Sequence, residues 1–447
     1  MKVLLINSVC GIGSTGRICT DLAQKFEAEG HEVKIAYGRK ATVPAQFQKY
    51  AVRIGTDFDC KIHAVQTRLF DAHGFGSKRA TRKFLEWAEE YKPNLLWLHN
   101  LHGYYINVEM LFAWIKKHPE MQVRWTLHDC WAFTGHCSYF TAVKCEQWMS
   151  HCSYCSQLHR YPACYTMGSV SKNFDRKRAA FTGVSNMTLI TPSKWLADLV
   201  KQSFLKEYPV EVRYNTIDTN VFKPTPSDFR ERYGLQDKFI VLGVANVWEE
   251  RKGLYDFYKL AQMLDDRYAI VLVGLSKKQI KALPKNIKGI ERTNSAKELA
   301  AIYTAADVFV NPSVEEAFGM TTIEAKACGT KAVVYKSTAC EEVINKHGGE
   351  AIPASADAIY FAITGQKWGG KTRCVAKIIC IPRTANTKEL AQIYTAADVF
   401  VNPTYEDNYP TVNLEAQACG TRVITYDTGG CRETLVNYDN KETMRSI

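Results

Sequence analysis

Along the chain, short apolar runs alternate with stretches in which apolar residues recur every three or four positions. Residues 2–8, KVLLINS, are of the first kind, continuous enough for a strand covered on both faces. The next stretch puts Ile18, Leu22 and Phe26 at helical spacing, which predicts one buried helix face, and HEVKIAYG follows as a second strand. That order predicts a βαβ unit with parallel strands. The alternation continues through PNLLWLHNLHGYYIN and VRWTLHDCWAF, two strands that end in polar residues. TLITPSKWLADLVKQSF reads as a strand, an N-cap at Ser193 and an amphipathic helix. After VEVRYNTIDTNVFKP a second series begins, with strands at 239–244, 268–274 and 307–310 and helices over 295–304 and from about 321. The prediction is an α/β chain built on two doubly wound, Rossmann-like sheets.

A length of 447 residues accommodates two such domains and part of a third. The expected boundaries are 1–206, with a cysteine-rich insert at 130–165, then 207–364, then 365–447. The last segment repeats an earlier one: residues 292–344 recur without gaps as 383–435, Tyr303 matching Tyr394, with roughly half the positions identical. The second copy brings no strand like 268–274 and no counterpart of the Arg251-Lys252 loop, so it is half of a nucleotide-binding unit. The first copy is expected to complete the sheet, its connection being short and local. In the second, the acids become Asp407 and Glu415 and the glycine turn becomes Asn408-Tyr409-Pro410-Thr411. The intervening GQKWGGKT reads as a linker.

No run of eighteen apolar residues is present, and Met1-Lys2 leads straight into a strand with no cleavage site after it, so a cytoplasmic location is expected. The net charge of +11 raises nucleic acid and anionic membranes as partners. Lys78-Arg79 with Arg82-Lys83, and Arg176-Lys177-Arg178, are short clusters without interleaved aromatics. They read as solvated faces; no nucleic-acid partner is expected, and a weak peripheral attraction to the inner membrane leaflet is retained. Fifteen cysteines do not suggest a disulfide scaffold in a chain of this kind. Cys137, Cys145, Cys152 and Cys155 are spaced by seven, six and two residues, and the closing CxxC suits a structural zinc. His136, His151 or His159 could replace one thiolate, and reduced core thiols are the alternative. Cys130 and Cys164 read as packing residues.

The densest chemistry lies in NPSVEEAFGMTTIEAKACGT, residues 311–330. A strand leads into a turn at Phe318-Gly319-Met320-Thr321 and then a helix, whose free N–H groups and dipole form an anion site. Glu316 and Glu324 bracket it, seven residues apart. Arg251-Lys252-Gly253, at another strand-to-helix loop, suits a diphosphate. His99, Asn100, His102, His128 and Asp129 fall at carboxyl ends of strands, where ligands collect in open α/β sheets. Gly11, Gly13 and Gly16 spell GxGxxG, yet the second strand ends in Tyr37-Gly38-Arg39 with no ribose-binding acid, which argues against a dinucleotide site.

These motifs resemble the retaining glycosyltransferases of family four, including those of bacterial capsular and exopolysaccharide clusters. The resemblance rests on the Glu316–Glu324 spacing, the RKG loop, the segment HDCWAFTG followed by a cysteine-rich insert, and the Asn215-Thr216-Ile217-Asp218 turn, where the family usually has Gly at the second position. It implies the GT-B fold, two Rossmann-like domains facing a cleft. It also implies a nucleotide diphosphate sugar as donor, a carbohydrate or lipid-linked acceptor, and no catalytic metal. By the same resemblance Glu324 holds the donor ribose, Glu316 and His128 lie beside the transferred sugar, Arg251 and Lys252 take the phosphates, and Gly13 lies nearest the ligand. Two other readings compete. An inactive transferase-like scaffold is favoured by the duplication and the unidentified last helix; a zinc-dependent nucleic-acid binder rests on charge and cysteines alone.

Overall fold

The computed structural model describes residues 1–39, 42–336 and 338–366, and beyond them 384, 386–397, 399–403, 409–426, 429–435 and 443–444. The chain divides into two compact units, Met1–Cys374 and Val375–Ile447. The first unit carries two wholly parallel sheets. One contains β1 (Lys2–Asn7), β2 (Glu32–Tyr37), β3 (Ala51–Arg53), β4 (Leu95–Leu98), β5 (Gln122–Thr126), β6 (Met187–Thr191) and β7 (Val210–Val212), in the order β3-β2-β1-β4-β5-β6-β7. The other contains β8 (Phe239–Val244), β9 (Tyr268–Val273), β10 (Ile287–Ile290), β11 (Val308–Asn311), β12 (Lys331–Tyr335) and β13 (Glu350–Ile352), ordered β10-β9-β8-β11-β12-β13.

The continuous apolar runs become the central strands because both of their faces are covered: Val3, Leu4, Leu5 and Ile6 are fully buried. Each such side chain contributes roughly 1.5–3 kcal/mol of transfer free energy. In the helix Gly13–Ala28 the innermost positions are Gly16, Cys19, Thr20 and Ala23, with Leu22 and Phe26 only flanking that core. Small residues let this helix lie close to its sheet, so the buried face is rotated from the Ile18–Leu22–Phe26 stripe. β7 pairs with β6, so the first sheet takes in residues beyond the expected 206/207 boundary.

Of the two similar segments, the first supplies β11 to the six-stranded sheet, between β8 and β12. The second unit has its own parallel sheet of β14 (Val399–Asn402), β15 (Arg422–Tyr426) and β16 (Thr443–Met444). Its small core comprises Tyr394, Ala416, Val423 and Leu435. Thr330 donates its hydroxyl to the Tyr303 carbonyl at 2.6 Å, and Thr421 makes the same bond to Tyr394. Glu415 lies on the helix Thr411–Ala418; Asp407 and Asn408 lie outside the described residues.

Carboxylates of the second sheet's loops and helices join the two halves of the first unit. Glu315, 1 % exposed, accepts N–H bonds from Phe140 at 2.6 Å, Thr141 at 2.7 Å and Ala142 at 3.3 Å. Glu342 accepts from the first amides of the helix Lys194–Val200, those of Lys194 (2.9 Å) and Trp195 (3.2 Å), where the helix dipole favours an anion. Ser193, the N-cap of that helix, also donates its hydroxyl to the Ala317 carbonyl at 2.8 Å. Replacing Glu315 with Ala would strand three amides at once. Glu315→Ala is expected to cost about 3 kcal/mol in urea unfolding, each buried unsatisfied donor carrying about 1–3 kcal/mol; a loss below about 0.5 kcal/mol would show that the joint does not depend on this carboxylate.

Candidate functional site

The helix Met320–Ala327 begins at Gly319, which caps it in the left-handed region at φ 85°. A Cβ on Gly319 would lie 2.6 Å from the Cys340 sulfur, so glycine is required by both angle and space. Asn311, at the end of β11, donates to the Thr322 hydroxyl at 3.1 Å and accepts from the Ser313 hydroxyl at 2.6 Å, which fixes the turn. Phe318 is buried against Ile323 and Val343. The first amides of the helix, those of Met320 and Thr321, belong to the turn whose N–H groups have no acceptor within the helix.

The two strand-to-helix loops of this half meet. Lys252 and Glu316 form an ion pair through Nζ and Oε2. Arg251 lies with its guanidinium 4.0 Å from the Tyr139 ring centroid, donates to the Glu315 carbonyl at 3.2 Å and to the Glu249 carboxylate at 3.2 Å. Gly253 allows this packing, since a Cβ there would lie 2.4 Å from the Pro312 carbonyl oxygen. Glu324, one turn into the helix, accepts from the Tyr303 hydroxyl at 3.1 Å. Burial pushes its carboxyl above the ordinary range, opposed by the Tyr303 bond and by Arg17 from the facing half. Arg17 was not singled out in the sequence, although a cation behind a glycine loop, near a helix start where the dipole disfavours it, was a readable signal. Gly13 opens that helix at φ 66°, exposed, and a Cβ there would meet no protein atom within 4 Å.

On the first sheet the strand-end residues are brought together. His99 Nδ1 and His128 Nε2 share a hydrogen at 3.1 Å with their rings stacked, so one nitrogen donates and the other accepts. Burial holds the His128 imidazole down at about 4, with Asp129 opposing. His102 pairs with Asp129 at 2.8 Å, and its Nδ1 lies 3.1 Å from the Tyr161 hydroxyl. His73, absent from the sequence reading, lies beneath them and accepts the Gly103 N–H at 3.1 Å. Lys177 was expected on a solvated face but is buried, its ammonium donating to the carbonyls of Trp131 (2.7 Å) and Thr134 (3.0 Å). It ties down the HDCWAFTG segment, because carbonyls left by its irregular backbone need donors. Tyr139 connects the two halves electrostatically, with Asp129 on one side and Arg251 and Glu316 on the other. A recess of about 310 Å³ lined by Phe229, Arg232, Glu298 and Ile302 shares none of these groups.

The four-thiol zinc site is not formed. Among the described residues no group of three or more His, Cys, Asp or Glu side chains is placed to hold a metal ion. Cys137 and Cys155 hydrogen-bond to each other, while Cys137 and Cys152 are buried within the main core, with Cys145 packed against it. The insert packs into the main core through aromatics: Phe140 stacks on Trp148 at 4.6 Å and Phe133 meets Trp148 at 5.4 Å. Those aromatics, with the Glu315 carboxylate under residues 140–142, do the holding assigned to zinc.

Residues 238–366 match the family model of glycosyl transferases group 1, and residues 373–444 match a second model of the same description. The chain is 23% identical over 364 residues to the putative colanic acid biosynthesis glycosyl transferase WcaC of Escherichia coli K12, covering 79% of this chain and 87% of that protein. Over 121 residues it is 31% identical to the N,N'-diacetylbacillosaminyl-diphospho-undecaprenol alpha-1,3-N-acetylgalactosaminyltransferase of Campylobacter jejuni, covering 26% of this chain and 32% of that one. Among solved structures, sucrose-phosphate synthase from Thermosynechococcus elongatus superposes with a TM-score of 0.58 at 17% identity, over 81% of this chain and 88% of that one. Anabaena HepE in complex with UDP and glucose superposes with a TM-score of 0.52 at 16% identity, over 80% and 88%. The two-sheet architecture is thus the GT-B fold.

The half-buried His128 has a consequence for acid stability. Its folded value is depressed below the 6.5 of a free imidazole, so from pH 6.5 down to about 4 the unfolded chain binds the extra proton and stability is lost as the pH is lowered. His128→Gln removes that contribution. Thermal melts at about pH 7.5, above that window, and at about pH 5, inside it, are expected to show a smaller acid drop in the variant than in the parent; equal drops would mean the ring is not held neutral.

Proposed function

We propose that this chain, which belongs to the group 1 glycosyltransferases, moves a sugar from a nucleotide diphosphate sugar to a carbohydrate or lipid-linked acceptor with retention of configuration. The setting we assign is surface polysaccharide biosynthesis; WcaC is named for colanic acid biosynthesis. The observation that carries the reading is the meeting of two loops. Lys252 pairs with Glu316 and Arg251 donates to the Glu315 carbonyl just before the helix Met320–Ala327, an arrangement of cations and free amides that supports a diphosphate site. HepE, of like fold, is known in complex with UDP and with UDP-glucose.

In this scheme the donor's diphosphate lies on the amides of 319–321 and against Arg251 and Lys252, and Glu324 takes the ribose hydroxyls. Lys252 is neutralised by Glu316 before the donor arrives; phosphate oxygens then share that ammonium, leaving the Glu316 carboxylate beside the sugar. As the bond from the anomeric carbon to phosphate oxygen breaks, charge grows on the diphosphate, where cations and fixed dipoles stabilise it. The acceptor oxygen bonds to the same face of that carbon, and its proton passes to the departing phosphate oxygen. His128, neutral and held by His99, orients the sugar by a hydrogen bond, and the His102–Asp129 pair borders the acceptor side. The charge on the leaving group is met by protein groups, so a catalytic metal is not called for.

Titration with a panel of nucleoside diphosphates tests the site. Arg251→Ala is expected to weaken binding about 100-fold, the scale of a lost bidentate charge-assisted contact; unchanged affinity would refute the phosphate role. With the matching nucleotide sugar, Glu316→Gln is expected to keep nucleotide binding within a few-fold while transfer falls by about 100-fold or more. Loss of binding with transfer proportionate to occupancy would place Glu316 in the diphosphate site instead.

A further inference from the structure

The helix Asp57–Phe70 is turned inside out. Phe58, Ile62, Val65 and Leu69, spaced four, three and four residues apart, form one stripe, and that stripe faces solvent with exposures of 70, 42, 52 and 46 %. The buried positions are His63 and Thr67, both at 0 %. This orientation is enforced. The His63 Nε2 accepts the N–H groups of Gly74 (3.2 Å) and Gly76 (3.1 Å), and Nδ1 meets the Ser77 hydroxyl at 2.9 Å. Rotating the helix to bury its apolar stripe would break all three bonds. Soluble surfaces rarely present so regular an apolar row.

A second segment extends the stripe at its end. The Tyr165 N–H donates to the Arg68 carbonyl at 2.8 Å and the Thr166 hydroxyl to the Leu69 carbonyl at 2.8 Å, which brings Met167, 97 % exposed, to the end of the helix that carries Leu69 and the exposed Phe70. The surroundings are cationic. Lys61 and Arg68 flank the stripe, and the adjoining helix Lys78–Tyr91 starts at Ser77 with Lys78, Arg79, Arg82 and Lys83 all exposed. Against these stand Asp57, already paired with Arg53, and Asp59, used in the capping box.

We propose that this outward face, with the tip at 165–167 and the basic start of the helix Lys78–Tyr91, docks on an anionic lipid bilayer. The apolar stripe would lie in the interface plane and the lysines and arginines against lipid phosphates. The excess of cations is what selects this occupant over a second copy of the chain, which would bring the same charges to the contact. The face also adjoins the acceptor side of the cleft: Tyr104 contacts His63 and His73, with ring centroids 6.0 and 4.8 Å apart, and lies within the field of Arg68. A bilayer seated there would present membrane-held acceptors to the strand-end histidines.

The test is co-sedimentation of the full chain with vesicles of phosphatidylcholine alone and of phosphatidylcholine mixed with phosphatidylglycerol. Binding to the mixed vesicles is expected, weakening with salt. Ile62→Gln with Leu69→Gln should reduce it about tenfold or more, and Lys78→Glu with Arg79→Glu should remove its preference for the anionic lipid. All four positions are exposed, and nucleoside diphosphate binding, measured alongside, is expected to stay unchanged in both variants. Vesicle binding needs no donor, so it stands or falls separately from the transfer reaction. Equal sedimentation of parent and variants would overturn the proposal, as would a concentration-dependent dimer that the Ile62/Leu69 variant disperses while vesicle binding stays the same.

Discussion

A single carboxylate placed across the molecule organises the rest of the first unit. Glu315 leaves the loop after β11 and enters a nest of three amides, those of residues 140–142, in the insert of the other half. An anion buried with three N–H bonds, two of them short, is strongly directional, and either side is left unsatisfied without the other. The contact therefore sets where the insert lies, and with it Tyr139, whose ring supports Arg251. The backbone that carries Glu315 also places Glu316 against Lys252. Joint and candidate site are thus neighbours on one loop.

That neighbourhood explains the electrostatic balance of the cleft. Arg251, Lys252 and Arg17 supply three cations, and Glu316 and Glu324 two acids, on surfaces that converge from both sheets. Lys252 and Glu316 satisfy each other, while Glu324 is kept partly out of water and relies on Tyr303. On the opposite wall the imidazoles of His73, His99 and His128 are all driven toward their neutral forms by burial. One wall gathers cations and acids, and on the other these neutral imidazoles stand beside the Asp129 carboxylate. This division suits a reaction in which negative charge accumulates at one end of the transferred group.

The strands and the order of the sheets were legible because their signals are local. A run such as 239–244 is apolar enough to need cover on both sides, and Ser193 and Ser295 cap the helices read from them. The loop at Arg251-Lys252 and the turn at Gly319 were equally visible. Glu315 was not: beside Glu316 in the chain, it carries the same side chain and no spacing of its own. The cysteines misled because CxxC spacing suggests coordination, whereas the insert is held by Phe140, Trp148 and a carboxylate 174 residues beyond Thr141, of which spacing says nothing.

By itself the sequence determined the alternation of strand and helix, the parallel sheets that follow from it, and the residue types available to hold a diphosphate. Those properties depend on periodicity and on neighbours within a few residues. The tertiary structure alone decided which of two adjacent glutamates joins the halves, that His128 is paired with His99, that Arg17 faces Glu324, and that the helix Asp57–Phe70 turns its apolar side outward. Each of these depends on a partner brought in from another element, and the free energy of a polar group is set by the partner it finds in the fold.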